Sequence, residues 1–238
     1  MRRPRLNFTR RLSLGSALLA MLPIGSQADL SRQSPSCPIA IELRVESHVG
    51  WGPVEWKLLT DEVDRIWEPY GLTLCWTQRS NPCAGWGVHL TVVVADDLPP
   101  SIKAAHLLEP VVGRIRFDAD GPSTDIGLSV KAARGLVAEV RLGDRRLEQW
   151  PTSTWTALVP RVLGRALAHE IGHYVLQSRG HAKTGLMTAS FRPYEVTFGP
   201  ASWFRLTPDA VTGLQCPLDP AGRGIAAPRA FASRDPIG

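Results

Sequence analysis

Ala168-His169-Glu170-Ile171-Gly172-His173, followed by Gly180-His181 and Gly185-Leu186-Met187, is the stretch from which the rest of the chain can be read. On an α-helix, residues four apart differ by about 40° of rotation, so His169 and His173 project from one face, one turn apart. Glu170 lies about 100° round from His169, at the edge of that face, where a carboxylate can serve a reacting water and leave the ion to the imidazoles. Val162, Leu163, Ala166, Leu167, Ile171, Val175 and Leu176 supply apolar residues at helical spacing through the motif, so a helix is expected here. Gly180 is expected to break that helix with a positive φ, and His181 to swing back as third ligand. Three protein ligands, an open fourth position and a carboxylate beside it are the set that Zn2+-assisted hydrolysis requires. Glu195 and Asp209 are the rivals for the third ligand, because a later carboxylate completes many such sites. Against them, Glu195 is followed by Val196-Thr197-Phe198-Gly199-Pro200, without a helical pattern, and Asp209 comes just after Pro208. The bland alternative makes the histidines ordinary hydrogen-bonded core or surface residues.

These residues resemble the metzincin clan of zinc metallopeptidases, whose motif is His-Glu-x-x-His-x-x-Gly-x-x-His followed by a Met-turn. The resemblance implies His169, His173 and His181 as metal ligands, Glu170 as general base and Met187 as the turn residue beneath the metal. The spacing departs from that motif: His181 lies eight residues after His173, not six, and Leu176 stands where the clan has Gly. The helix must therefore run longer or the turn must bulge. Leu163 to Leu176, with His181 and Gly185-Leu186-Met187, is also similar to a group of secreted bacterial zincin-like proteins.

Residues 1–28 read as a signal peptide. Five arginines precede the apolar run Leu12 to Ile24, and Ser26 and Ala28 supply the small residues of a cleavage site before Asp29. That run is too short and too interrupted to span a membrane, and no later segment approaches the roughly 20 apolar residues needed. The whole chain carries a formal charge of +5; without its leader arginines the charge is zero, which removes any electrostatic case for nucleic acid or an anionic membrane surface. Residues 29–216 suffice for one catalytic domain, and the Pro-, Gly- and Ala-rich segment 217–238 reads as a disordered tail. Four cysteines, Cys37, Cys75, Cys83 and Cys216, are an even number in an exported chain, so two disulfides are expected. Three connectivities are open, with Cys75–Cys83 the easiest closure and Cys37–Cys216 its complement.

Residues 39–48 alternate apolar and polar side chains and predict a half-buried first strand. A helix opened by Pro53 and closed by Pro69-Tyr70-Gly71 follows, with Leu59, Val63, Ile66 and Trp67 on its apolar face. Leu72, Leu74 and Trp76 predict a second strand, and Val88, Leu90, Val92 and Val94 a third. Two short strands are expected at 113–117 and 125–129, with the turn over 118–122. Ser129 can cap a helix reaching Leu142-Gly143. Thr152 to Thr156 and Pro160 mark the start of the metal-binding helix, with the proline at or near its first turn. Residues 208–214 predict a last short helix.

The expected fold is therefore α+β and metzincin-like: a mixed twisted sheet of four to five strands, one backing helix, and the zinc-binding helix beneath. A cleft between that helix and an edge strand would let an extended peptide add to the sheet, with 113–117 and 125–129 the candidate edges. His48, His89 and His106 each stand alone and read as ordinary surface or core residues, and the tryptophans at 51, 67, 76 and 86 as packing residues. The function expected is an exported zinc metalloendopeptidase, secreted or periplasmic, acting on a peptide or protein substrate. Two other readings stay open: a zinc-binding or adhesion module without catalysis, and a zinc amidase of a non-protein amide such as cell wall.

Overall fold

Alternation over residues 39–48 does build a strand, β1 (Ala40–Ser47), whose Ile41 and Leu43 are fully buried. The structure, a computed structural model, describes residues 39–77, 88–98 and 111–214. The expected leader, the tail from 217, Cys37, Cys83, Cys216, Trp86 and His106 lie outside the described residues. Helix α1 (Pro53–Trp67) follows β1 and ends in the 3-10 turn Glu68–Tyr70. Strands β2 (Thr73–Thr77) and β3 (Val88–Ala95) complete the β-α-β-β order. Cys75, on β2, is not free.

Strands β4 (Gly113–Asp118) and β5 (Gly121–Ser129) form a tight hairpin, so the turn is shorter than the 118–122 expected. The five strands make one mixed sheet in the order β2-β1-β3-β5-β4. β2, β1, β3 and β5 run parallel to one another, and β4 alone runs antiparallel, at the edge beside β5. Of the two candidate edges, β4 is the edge and β5 is interior.

Helix α2 (Val130–Ala138) starts where Ser129 Oγ accepts from Ala132 N at 3.1 Å. It stops short of the expected Leu142-Gly143, because Gly143, at φ 64°, with Asp144 turns the chain into a small hairpin of β6 (Arg141–Leu142) and β7 (Arg145–Arg146).

Helix α3 (Thr152–Val175) carries the motif and packs on α1, β4 and β5. Pro160 lies well inside it, not at its first turn. The ring deprives the Thr156 carbonyl of its helical donor, and burial of Leu158, Val159, Pro160 and Val162 offsets that loss. Between α1 and α3 sits a buried ion pair, Arg165 Nε to Glu62 Oε1 at 2.7 Å. β4 approaches α3 closely at Gly113, where an added Cβ would lie 3.1 Å from Ala166 Cβ and 3.3 Å from Glu170 Cγ. A larger residue there would push the edge strand off the motif.

Two short helices follow the motif. α4 (Pro193–Phe198) was not expected; it forms because Arg192 N donates to Glu195 Oε2 at 3.2 Å and Pro193 opens the first turn. α5 (Pro208–Thr212) lies where the last helix was predicted. Among the described residues, no helix is long and apolar enough to cross a membrane.

Candidate metal centre

α3 places His169 and His173 one turn apart with their ring centroids 4.7 Å from each other, nearly perpendicular. His181 reaches both from beyond the helix, its ring 5.4 Å from that of His169 and 4.9 Å from that of His173. One ring nitrogen from each of the three lies within 4.8 Å of the others. The structure thus brings together His169, His173 and His181, and this is the one such group of His, Cys, Asp or Glu among the described residues.

Two hydrogen bonds make the set suitable for a cation. His169 Nδ1 donates to the Leu186 carbonyl at 2.7 Å, and His173 Nδ1 donates to the Ser178 carbonyl at 2.7 Å. A carbonyl only accepts, so the proton is on Nδ1 in both rings and the Nε2 lone pair is left for a metal. Burial also keeps the rings neutral. It pushes the His169 imidazolium down to about 4, opposed by the bond to Leu186, and lowers His173 in the same way. Neutral imidazoles of fixed tautomer are the form that binds Zn2+.

Helix α3 ends before Gly180, contrary to expectation. Leu176 caps it, and Gln177 takes the left-handed conformation, φ 49°, usually left to glycine. Gln177 holds that conformation through its side chain, whose Nε2 donates to the Tyr174 carbonyl at 2.6 Å. The turn that follows carries Ser178 under His173 and leads to His181. Ala182 N then donates to the Met187 carbonyl at 2.7 Å, joining the third histidine's segment to the Gly185-Leu186-Met187 turn. Met187 is buried beneath the motif, against Gly172, where a Cβ would collide with its Sδ.

Glu170 is buried, and its Oε2 accepts from the Ile115 N–H of β4 at 2.9 Å. Burial pushes its carboxyl up to about 8, against the Ile115 hydrogen bond and the charge of Arg114, which both lower it. Phe117 stands edge-on to His173 and Phe191 edge-on to His169, at 5.9 and 6.4 Å between centroids, as aromatic walls of the site.

The rivals lie elsewhere. Glu195 is engaged in the α4 cap and Asp209 in the first turn of α5, and neither joins the histidine group. His48 is exposed, and His89 pairs with Glu42 at 2.7 Å. The roles of Leu186 and Ser178 as acceptors had no signal in their side chains, since both act through backbone carbonyls. Phe117 and Phe191 belong to segments whose approach to the motif depends on tertiary folding.

No family model and no curated protein matches the chain. Among solved structures, archaemetzincin from Methanopyrus kandleri is similar at 14% identity and a TM-score of 0.46, over 76% of this chain and 96% of that one.

Proposed function

We propose that the protein is an exported zinc metallopeptidase with Glu170 as its general base. The observation that carries this reading is the pairing of a three-histidine group, tautomers set by Leu186 and Ser178, with a buried carboxylate one residue from the first histidine. His169, His173 and His181 would hold the ion through one ring nitrogen each. Bound Zn2+ supplies Lewis-acid activation of water and of the scissile carbonyl.

The chain's own groups account for the remainder. Ile115 N–H pins Glu170 Oε2, which leaves Oε1 to take the proton of the attacking water and pass it to the departing amine. Just before β4, the Val112 carbonyl accepts from Ser129 N, so Val112 and, by alternation, Arg114 face β5. Gly113 and Ile115 face outward; the Ile115 N–H is held by Glu170, which leaves the Gly113 N–H and C=O and the Ile115 C=O for an extended peptide to pair with along the edge. The leader and the even cysteine count support export.

The test is to incubate the zinc-loaded protein with a peptide library and with purified cell wall, with and without chelator, beside variants. Glu170→Gln should keep one zinc per chain and lose turnover by about two to four orders of magnitude. His169→Ala, His173→Ala or His181→Ala should each lose zinc. Cleavage of cell wall alone would favour the amidase. A wild type that binds zinc and cleaves nothing would favour the binding module, and His181→Ala with full zinc would move the third ligand.

A further inference from the structure

The long spacing between the second and third histidines has a use visible in the fold. It is taken up by the turn Gln177-Ser178-Arg179-Gly180, in which Ser178 supports His173 and the next residue crosses to the edge strand. Arg179 Nη2 donates to the carbonyls of Phe117 and Asp118 at 3.2 and 3.3 Å. Its guanidinium carbon lies 5.0 Å from the centroid of the Phe117 ring, the ring that stands edge-on to His173. Arg179 therefore sits on the rim of the candidate site, and it is otherwise exposed.

The carbonyl of Phe117 needs such a partner. Phe117 pairs with Pro122 next to the hairpin-closing pair Asp118–Gly121, so its backbone carbonyl, like that of Ile115, points away from β5. An edge-strand carbonyl left this way would ordinarily be open to pairing with an incoming strand. Here the guanidinium takes it and leaves a positive charge where main-chain pairing would have continued. A guanidinium with remaining donors recognises carboxylates in preference to amides or amines.

We propose that Arg179 is a specificity-determining residue: it closes the Phe117 end of β4 to main-chain pairing and selects an acidic side chain in the substrate residue lying there. This rests on the peptidase reading above, in which β4 receives the substrate.

The experiment starts from any peptide the wild type cleaves and moves a single Glu, Gln or Lys through the positions flanking the cleaved bond. Binding of each labelled peptide to zinc-loaded Glu170→Gln protein is measured by fluorescence anisotropy, and cleavage by wild type is followed in parallel. One position should prefer Glu over Gln by about five- to tenfold, the worth of a partly exposed charge-assisted contact. Arg179→Gln should erase that preference, and Arg179→Glu should turn it toward Lys. Peptides that bind and are cleaved with one charge profile in all three proteins would remove this role from Arg179 and leave the peptidase reading standing. A zinc-loaded wild type that cleaves no peptide of the starting library, with no peptide bound by the Glu170→Gln protein, would overturn both.

Discussion

Glu170 is buried one residue from the first histidine of the candidate metal site, so a cation held there would change its proton affinity. In the metal-free protein burial holds the carboxyl near 8, far above its usual value of 4.5, so the folded state keeps a proton that the unfolded chain releases. Between about pH 4.5 and pH 8 this group makes stability fall as pH rises. His169 acts oppositely: its folded value of about 4 lies below the usual 6.5, so it makes stability rise with pH between about pH 4 and pH 6.5, and His173 shifts in the same direction. Above pH 6.5 only the Glu170 contribution remains. Metal-free protein should therefore melt at a lower temperature at pH 8 than at pH 6.5, and Glu170→Gln should flatten this difference. Thermal melts of chelator-treated protein check it; a wild type and variant of equal slope would contradict it. The grouping of the three histidines was legible in the sequence because side chains at that spacing suffice to mark it. Which tautomer each ring adopts was not legible, because it depends on two carbonyls brought in by a turn.

Among the elements, α3 does most to assemble the site, and Arg165 ties it to its neighbours. Its Nε bonds Glu62 of α1, its Nη1 donates to the Glu195 and Val196 carbonyls at 3.1 and 3.0 Å, and its Nη2 donates to Gly199 at 2.6 Å. The guanidinium also lies 4.3 Å from the Phe204 ring centroid, and Phe204 in turn supports Phe191 beside His169. Arg165→Ala would leave buried Glu62 with Arg65 as its remaining partner at 2.8 Å and the Glu195 carbonyl with the Gly199 N–H, but would strip the Val196 and Gly199 carbonyls of their Arg165 donor, which should cost about 2–4 kcal/mol. Urea unfolding measures this, and a loss under about 1 kcal/mol would show that the pair is replaced by water or repacking. The apolar period of α3 was readable, but its passage through Pro160 was not, since local propensity gives way to packing. The six residues of α4 make under two turns, too few for periodicity to show. Gln177 at a glycine-like φ was hidden for a related reason: a side-chain contact of its own stabilises it.

At the scale of the molecule, the sheet and the candidate metal site involve different parts of the chain. The strands were individually legible from alternation, yet their order and the reversal of β4 were not, because pairing joins segments far apart in sequence. The sheet core from Ile41 and Leu43 across to Leu90, Val92, Ile126 and Leu128 is wholly apolar and owes nothing to a cation. The segment from Ser178 to Thr188 is different. It supplies His181 and the two carbonyls that orient the other rings, and it is joined to itself by the Ala182–Met187 bond and the short bridge of Ala182 with Thr188. A cation shared by α3 and His181 would close this segment onto the helix, and binding to the folded state alone adds to its stability. Removing the ion should thus open Ser178–Thr188 locally before the sheet unfolds. Hydrogen exchange with and without chelator should show the Ser178, Ala182 and Thr188 amides losing protection by about tenfold or more, with β1 and β3 unchanged. Uniform loss across the sheet would mean that the metal holds the whole fold together. No change at all in zinc-loaded protein would mean that the three histidines do not share an ion.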